Sequence, residues 1–280
     1  MLATTLGDVF PQYEQDWEPT TNTALQLTRI QVVPIVDTKN DRKYELYIKL
    51  PEAYSDTASS KYPVIYYTDA MWHVEMLSGS AEYIFEEAIL VGISWQKDID
   101  EKLLQERGAH VSRYRDYSMR ESSNSAHQAK YQFGQASKHL DFIQAEVIPY
   151  VEEHYRTVPD ERTYFGYSLG GEFGCYILLT EPETFHNYIL GSPSIRGEVP
   201  ILTEFNQGAP PELMARVYIS YGTMEQEAGK EIDQFIDVLR ERGDQTLILQ
   251  PVVIEGTHQS AFPMTAVNSM HWLANLILDK

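Results

Sequence analysis

Ser168 is the residue of this chain whose setting most clearly indicates covalent chemistry. It lies in the stretch TYFGYSLGGEFG, residues 163–174, with a glycine two positions before it and another two positions after it. An apolar β-type run ends at Tyr167 and a helical pattern begins at Leu169, which is the strand–turn–helix setting of a nucleophile elbow. The pattern predicts that Ser168 is a nucleophile. The alternative is a glycine-rich turn that carries an incidental serine.

A serine nucleophile needs a general base, and His258 has the best position for that role. It lies in EGTHQSAF, after the last predicted strand and before the last predicted helix. In α/β hydrolases the acid and then the histidine follow the serine along the chain. His186 precedes a strand, His271 lies within the final predicted helix, and the other five histidines come before Ser168. His258 is therefore the predicted base.

The acid that would orient the histidine is predicted on the loop after the seventh β-type run, in YISYGTMEQEAGKE. Glu225 comes three residues after Gly222, and a carboxylate there can accept the Nδ1 proton of the histidine. Glu227 is the rival candidate. Both carboxylates could instead serve only the N-terminus of the following helix, where negative charge is favourable. A serine–histidine pair without a third member also stays open.

Two backbone amides are predicted to form the oxyanion hole. One belongs to Leu169, directly after the nucleophile, and the other to the loop after the third β-type run, in YYTDAMWHVEM. Met71 is the predicted second donor and Ala70 the alternative. Asp69 is expected to hold this loop by bonding its backbone. Trp72 is predicted to form a wall for the acyl or leaving group, or else to pack the loop from inside.

Strands and helices that alternate along the chain must position these residues. Eight β-type runs are predicted, at 27–36, 43–50, 62–68, 88–94, 162–167, 187–191, 216–221 and 246–254. Amphipathic helical patterns cover 137–155, 226–241 and 260–279. The first two runs alternate as an antiparallel pair does, and the inner runs are apolar throughout, as in parallel strands covered on both faces. The order predicts an α/β fold with a mostly parallel sheet of about eight strands and helices on both faces.

The domain prediction is a single domain over 1–280, with 1–25 as an irregular lead-in. Two long connections, 95–136 and 192–214, are expected to be functional or mobile. The net charge of −19 and the lack of a Lys/Arg run argue against binding of nucleic acid or an anionic membrane. Cys175, the single cysteine, excludes an internal disulfide. With no leader pattern or membrane span in the sequence, the predicted location is the cytoplasm, or the periplasm if a leader has been removed.

The chain resembles the Putative esterase family of α/β hydrolases, which contains the ferric-enterobactin and bacillibactin trilactone esterases and the IroE-like serine hydrolases. The resemblance spans residues 25–278 and rests on YPVIYYTDAMW, VGISW followed by SRYRDYS, FIQAEVIPYVEEHYRTV, FGYSLGGEFGCYIL, FHNYILGSPSI and EGTHQSAF. It implies the α/β-hydrolase fold, Ser168 as nucleophile, His258 as base, an acid near Glu225, and no metal or other cofactor. In one respect the chain departs from the family, whose oxyanion loop usually reads Asp-Gly where this chain has Asp69-Ala70.

Together these features predict a serine hydrolase that cleaves carboxylic esters through an acyl-enzyme intermediate. A siderophore-type trilactone ester is implied by the resemblance alone, and an uncharged or aromatic ester is an equal candidate. Arg113 is the predicted substrate-binding arginine, with Arg120 nearby, whereas Arg115 is expected to pair with Asp116. The alternatives are a non-catalytic binding protein of the same fold, a thioesterase and a peptidase. The oligomeric state, a homodimer included, is left open.

Overall fold

The protein is built around one eight-stranded sheet. The structure is a computed structural model that describes residues 29–57, 59–210 and 212–278. The strands are β1 Ile30–Asp37, β2 Arg42–Lys49, β3 Tyr62–Tyr67, β4 Ile89–Ile93, β5 Thr157–Tyr167, β6 Asn187–Gly191, β7 Arg216–Gly222 and β8 Ile248–Ile254. Their spatial order is β1-β2-β4-β3-β5-β6-β7-β8. β2 pairs antiparallel with β1 and β4, and every other pairing is parallel.

This architecture confirms the predicted α/β fold and its antiparallel first pair. Seven strands begin and end within three residues of their predicted bounds over the described residues, and β6 matches its prediction at both ends. β5 differs, because it begins at Thr157 rather than at 162. Its first half reads TVPDE, which is polar and partly exposed, so the apolar pattern marked only the half that is buried between β3 and β6. The predicted lead-in, 1–25, lies outside the described residues.

Helices connect the strands and cover both faces of the sheet. The α-helices are α1 Ala70–Ile84, α2 Glu101–Arg107, α3 Arg113–Asp116, α4 Ser125–Tyr131, α5 Ala136–Phe142, α6 Ile148–His154, α7 Leu169–Thr180, α8 Val199–Gly208, α9 Gln226–Glu241 and α10 Phe262–Leu278. A π-helical turn, Ile143–Val147, joins α5 to α6, so the predicted helix 137–155 is one nearly continuous helical stretch. Among the described residues, no helix combines the length and apolarity that crossing a membrane requires.

Alternate side chains of the central strands feed two separate apolar cores. Val64 and Tyr66 of β3 point into the core beneath α5 to α9, and Ile65 and Tyr67 point into the core beneath α1 and α10. Since successive side chains of a strand face opposite sides, a strand covered on both faces must be apolar throughout. The central strands β3, β4 and β6 are therefore buried on both sides.

The connection 95–136 is more ordered than expected of a long loop. It contains α2, a 3₁₀ turn at Ala109–Ser112, α3 and α4. Asp100 caps α2 by accepting from the amides of Lys102 and Leu103, and Asn124 caps α4 by accepting from His127. Short capped helices with few apolar residues give a weak periodic signal, which explains why the sequence pattern missed them. The connection 192–214 likewise contains α8.

Candidate active site

The carboxyl edge of the parallel strands brings together the residues that the sequence singled out. Ser168 directly follows β5, Glu225 comes three residues after β7, and His258 comes four residues after β8. In open α/β sheets, ligands bind at this edge of the sheet. The three side chains come from loops at the same edge, although 90 residues separate the serine from the histidine along the chain.

The backbone at Ser168 has the conformation of a nucleophile elbow. Its φ of 60° and ψ of −120° belong to a region that non-glycine residues rarely adopt. The turn also requires small neighbours, because a Cβ on Gly166 would lie 2.1 Å from the Gly170 carbonyl oxygen, and a Cβ on Gly170 would lie 2.3 Å from Thr68 Oγ1. The strained serine and the two glycines therefore form one tight unit that presents the hydroxyl at the start of α7.

Glu225 and His258 form a short hydrogen bond, with 2.6 Å between Glu225 Oε1 and His258 Nδ1. A carboxylate can only accept, so Nδ1 carries the proton and Nε2 is the basic nitrogen. The second carboxylate oxygen, Oε2, accepts from the Gly222 amide at 2.7 Å and from Ser192 Oγ at 2.8 Å. Burial alone would raise the pKa of Glu225, but the hydrogen bonds from His258, Gly222 and Ser192 together hold that pKa below its usual value.

The rival carboxylate, Glu227, lies elsewhere. It is in the first turn of α9, where it forms an exposed ion pair with Lys230 at 2.7 Å. Negative charge interacts favourably with the N-terminus of a helix. This surface role was the alternative considered for both Glu225 and Glu227, and Glu227 fulfils it. Of the two candidates, the structure brings only Glu225 to His258.

The Ser168 hydroxyl rests against Ser194, with 3.1 Å between the two Oγ atoms. No side-chain hydrogen bond among the described residues joins Ser168 to the His258 ring. The link that the structure shows between the two loops is made by Tyr167, the residue before Ser168, which donates from Oη to the His258 carbonyl oxygen at 2.6 Å. Hydrogen bonds between a nucleophile and its base are often long before a substrate binds.

The two predicted oxyanion amides lie at the N-termini of helices. Leu169 begins α7, and Met71 is the second residue of α1. Amides in the first turn of a helix have no carbonyl of their own helix to bond, so both N–H groups can serve an outside acceptor. Trp72 and His73, in contrast, donate their amides to the Asp69 carbonyl oxygen at 2.9 and 3.2 Å. The Met71 side chain contacts Tyr47 Oη through its sulfur.

The Asp69 carboxylate bonds the side chains of Trp95 and Arg113 and no backbone group of its own loop, which corrects the sequence-based expectation. Its carboxylate is fully buried and accepts from Trp95 Nε1 at 2.6 Å. It also accepts from Arg113 Nε at 3.0 Å and Arg113 Nη2 at 2.7 Å in a forked ion pair. Asp69 has a left-handed backbone, with φ 56° and ψ 40°, and makes no side-chain cap to α1. The usual N-cap requires an extended backbone, so the left-handed turn frees the carboxylate for these partners.

Arg113 is committed to this buried pair. It is 8% exposed and its guanidinium lies 5.0 Å from the centre of a Trp72 ring. Burial alone would lower the pKa of Arg113, but Asp69 outweighs that effect and keeps the pKa above its ordinary value. Its role in substrate binding stays a prediction. Arg115 pairs with Asp116 as expected, at 2.8 Å.

We expect Arg113→Met to lower the free energy of unfolding by about 3–5 kcal/mol, because it leaves the Asp69 carboxylate buried without its cation. Chemical denaturation measures this loss. The double variant with Asp69→Asn should cost less than Arg113→Met alone, since the uncompensated charge is then removed. If Arg113→Met kept full stability and only raised KM, the arginine would belong to substrate binding rather than to the support of the loop.

Trp72 is half-exposed beside the site rather than packed inside the loop. Its side chain is 51% exposed and meets Trp95 edge-on, with 4.7 Å between ring centres. His110 lies against the same ring at 5.3 Å. The exposed indole is thus an aromatic surface at the end of the predicted oxyanion loop.

Arg120, the other arginine predicted nearby, is paired with Glu198 at 2.6 Å.

Tyr167, Ser192 and Ser194 are residues of the site that were not predicted from the sequence. Tyr167 bonds the His258 backbone, and Ser192 bonds the Glu225 carboxylate. The available signal was position, because Tyr167 precedes the nucleophile and Ser192 directly follows β6 at the same edge of the sheet.

Over 29–57, 59–210 and 212–278, no group of three or more His, Cys, Asp or Glu side chains could hold a metal ion.

The family model and two relatives that match the sequence are all described as esterases. The family model described as Putative esterase matches residues 38–260. Ferri-bacillibactin esterase BesA of Bacillus subtilis (strain 168) is 27% identical over 195 residues, which cover 65% of this chain and 64% of BesA. Siderophore triacetylfusarinine C esterase of Aspergillus fumigatus is 32% identical over 116 residues, 38% of either chain. The chain thus spans less than two thirds of the length of either relative.

Solved structures share the fold at low sequence identity. The BES protein from Bacillus cereus superposes with a TM-score of 0.77 at 19% identity, over 91% of this chain and 99% of that one. The IroE-like serine hydrolase from Shewanella oneidensis gives a TM-score of 0.72 at 19% identity, over 87% of this chain and 79% of that one. At these identities the likeness establishes the fold, which is that of the α/β hydrolases.

Proposed function

The chain belongs to the Putative esterase family, and from that premise we propose that it is a serine hydrolase of carboxylic esters that works through an acyl-enzyme. The observation that carries the proposal is the 2.6 Å bond from His258 Nδ1 to Glu225, at the sheet edge where Ser168 has the strained backbone of a nucleophile elbow. This bond leaves His258 Nε2 as the basic nitrogen. Ser168, His258 and Glu225 form the proposed catalytic triad.

Acylation begins when the Ser168 hydroxyl leaves Ser194 and turns about its Cα–Cβ bond toward His258 Nε2. His258 takes the hydroxyl proton as Oγ attacks the ester carbonyl carbon. Glu225 stabilises the imidazolium that forms and holds its ring. The carbonyl oxygen becomes an oxyanion, which the amides of Leu169 and Met71 stabilise at two helix N-termini.

The acyl-enzyme forms when the tetrahedral intermediate collapses. His258 gives its proton to the leaving alkoxide, so the first product is an alcohol. A water molecule then enters, loses a proton to His258 and attacks the acyl carbon. Collapse of the second intermediate returns the proton to Ser168 Oγ and releases a carboxylic acid. Every proton movement uses the one imidazole, and the residues named need no other catalytic group.

We propose a siderophore-type ester as the substrate, that is, a small molecule whose ester links build or close a metal chelator. The names of two relatives support this substrate class, one being a ferri-bacillibactin esterase and the other a triacetylfusarinine C esterase. The half-exposed Trp72 gives the proposed site an aromatic surface. Rates on a panel of trilactone, aryl and sugar-acetyl esters test this substrate class, and a clear preference for sugar-acetyl esters would contradict it.

A fluorophosphonate probe tests the proposed chemistry directly. We expect one covalent adduct per chain, with the phosphonate on the peptide that contains Ser168, because only an activated serine reacts with the probe. Mass spectrometry of the digested protein measures the adduct and its position. Heat-unfolded protein is the control and should stay unlabelled. A folded protein that neither reacts with the probe nor hydrolyses p-nitrophenyl acetate would be a binding protein of the same fold.

A further inference from the structure

We propose that Tyr167 and Ser192 are positioning residues that hold Glu225 and His258 in the geometry the reaction needs. The inference rests on the proposed serine hydrolase mechanism and extends it to two side chains that touch neither the nucleophile nor, in that mechanism, the substrate. Tyr167 is the last residue of β5 and Ser192 is the first residue after β6. Both side chains lie on the path between the nucleophile strand and the acid.

The contacts form a closed ring. Tyr167 Oη donates to the His258 carbonyl oxygen at 2.6 Å and lies 3.0 Å from Ser192 Oγ. Ser192 Oγ donates to Glu225 Oε2 at 2.8 Å, and Glu225 Oε1 accepts from His258 Nδ1 at 2.6 Å. The His258 residue closes the ring, since its imidazole bonds the acid and its carbonyl bonds the tyrosine. A shift of any one member therefore moves the base relative to Ser168.

Counting protons fixes the direction of these bonds. A carboxylate has no proton to give, so Ser192 must use its one hydroxyl proton on Glu225. The oxygen of Ser192 can then only accept in its contact with Tyr167. The single Tyr167 proton is donated to the His258 carbonyl oxygen at 2.6 Å, so the 3.0 Å contact with Ser192 Oγ receives at most a share of it. Tyr167 thus holds the His258 backbone, and Ser192 directs its own proton at the acid.

The side chains of Tyr167 and Ser192 are both buried. Tyr167 is 5% exposed and Ser192 1% exposed. The Tyr167 ring lies over Gly191, where an added Cβ would come within 2.4 Å of Tyr167 Cδ2. Ser192 has a φ of 37° and its amide donates to the Ser220 carbonyl oxygen at 2.6 Å. This buried and strained placement aims the Ser192 hydroxyl at Glu225.

The arrangement also lowers the pKa of Glu225 and so favours its ionised form. The titratable groups that face Glu225 are His258, through a direct bond, and Tyr167, through the Ser192 bridge. Burial raises the pKa of Tyr167 to about 12, so the phenol keeps the proton that the ring of contacts needs. Loss of the Ser192 donor would leave the carboxylate more basic. The pKa of Glu225 would then rise, and the carboxylate would take up a proton at a higher pH than in the wild type, which removes the acceptor for the His258 Nδ1 proton.

Kinetics of Tyr167→Phe and Ser192→Ala test the inference. Each should lower kcat on p-nitrophenyl acetate by about tenfold with little change in KM, because Tyr167→Phe loses the bond to the His258 backbone and Ser192→Ala the bond to the Glu225 carboxylate, while the substrate contacts remain. Ser192→Ala should also move the acid limb of the kcat/KM profile to higher pH. The double variant should lose less than the product of the two single losses, since both side chains act through one chain of bonds.

Two matched variants control for the loss of a buried hydroxyl. Tyr188→Phe removes a fully buried phenol that donates to the Pro182 carbonyl oxygen, and Ser269→Ala removes a buried hydroxyl that donates to the Ala266 carbonyl oxygen. Both should keep the wild-type pH profile. The far-downfield proton signal of His258 Nδ1 gives a readout independent of turnover, and it should shift in the two test variants only.

The outcomes separate the two proposals. Wild-type protein that is inert toward ester and fluorophosphonate overturns the proposed function and the positioning inference together. Active wild-type protein, combined with test variants whose kcat, pH profile and His258 signal match those of Tyr188→Phe and Ser269→Ala, overturns the positioning inference alone. Multiplicative losses in the double variant would likewise contradict it, because independent structural effects combine in that way.

Discussion

Ser168→Ala is expected to lower kcat/KM for p-nitrophenyl acetate by about 10⁴-fold to 10⁶-fold while the protein stays folded. The substitution removes the only atom that forms the covalent bond in the proposed mechanism. It leaves the oxyanion amides and the substrate contacts in place, so a small residual rate above that in water should survive. Purified variant and wild type are compared at equal concentration, with far-UV circular dichroism and a melting curve to verify the fold.

Ser194→Ala is the matched control for this prediction. Ser194 Oγ lies 3.1 Å from Ser168 Oγ, so a hydroxyl is lost from almost the same place. We expect a far smaller effect than that of Ser168→Ala, because Ser194 holds the resting hydroxyl and forms no bond to the acyl group. If Ser168→Ala retained most of the wild-type activity, or if Ser194→Ala abolished it instead, the nucleophile would be misassigned.

The elbow and the order of the three candidate residues could be read from the sequence because both are local or topological signals. Gly166, Ser168 and Gly170 encode a turn between a strand and a helix within five residues. Glu225 and His258 lie on the loops that follow predicted strands, and parallel strands must end at the same edge of a sheet. No contact between distant side chains had to be known for these predictions.

The supporting contacts could not be predicted, because they depend on how loops meet above the sheet. Asp69 and Arg113 are 44 residues apart, and Tyr167 and the His258 carbonyl are 91 residues apart. The sequence around Asp69 does not identify Arg113 as its partner, and the sequence around Tyr167 does not identify the His258 carbonyl. The expectation for Asp69 was wrong for a related reason, since its left-handed backbone directs the carboxylate away from the amides that an aspartate before a helix usually caps.

The supporting contacts have one physical consequence for the site as a whole. Asp69 fixes the oxyanion loop through Arg113 and Trp95, while Gly222 and Ser192 fix Glu225. Each carboxylate is held by several donors, so neither would have to reorganise when charge develops in the transition state of the proposed mechanism. Preorganised groups of this kind account for much of the rate enhancement in acyl transfer.

Glu225→Gln should lower kcat by about 10³-fold to 10⁴-fold, whereas Glu227→Gln should leave kcat unchanged. The reason lies in the donors that face Glu225. The Gly222 amide is a fixed donor at 2.7 Å, so the oxygen of the new amide group must turn toward it. The amide nitrogen then faces His258 Nδ1 and donates to it. His258 is thereby held in the tautomer with its proton on Nε2, and it cannot accept the Ser168 proton.

Glu227 is the matched control because it is an exposed glutamate two residues away that pairs only with Lys230 among the described residues. Both variants replace one carboxylate oxygen by an NH₂ group. The change is made beside His258 in Glu225→Gln and away from His258 in Glu227→Gln. Single-turnover rates on p-nitrophenyl acetate separate acylation from product release, and the loss should appear in acylation. Equal rates for the two variants would mean that the proposed mechanism runs on Ser168 and His258 alone, with Glu225 bound beside the histidine but contributing nothing to its function as a base.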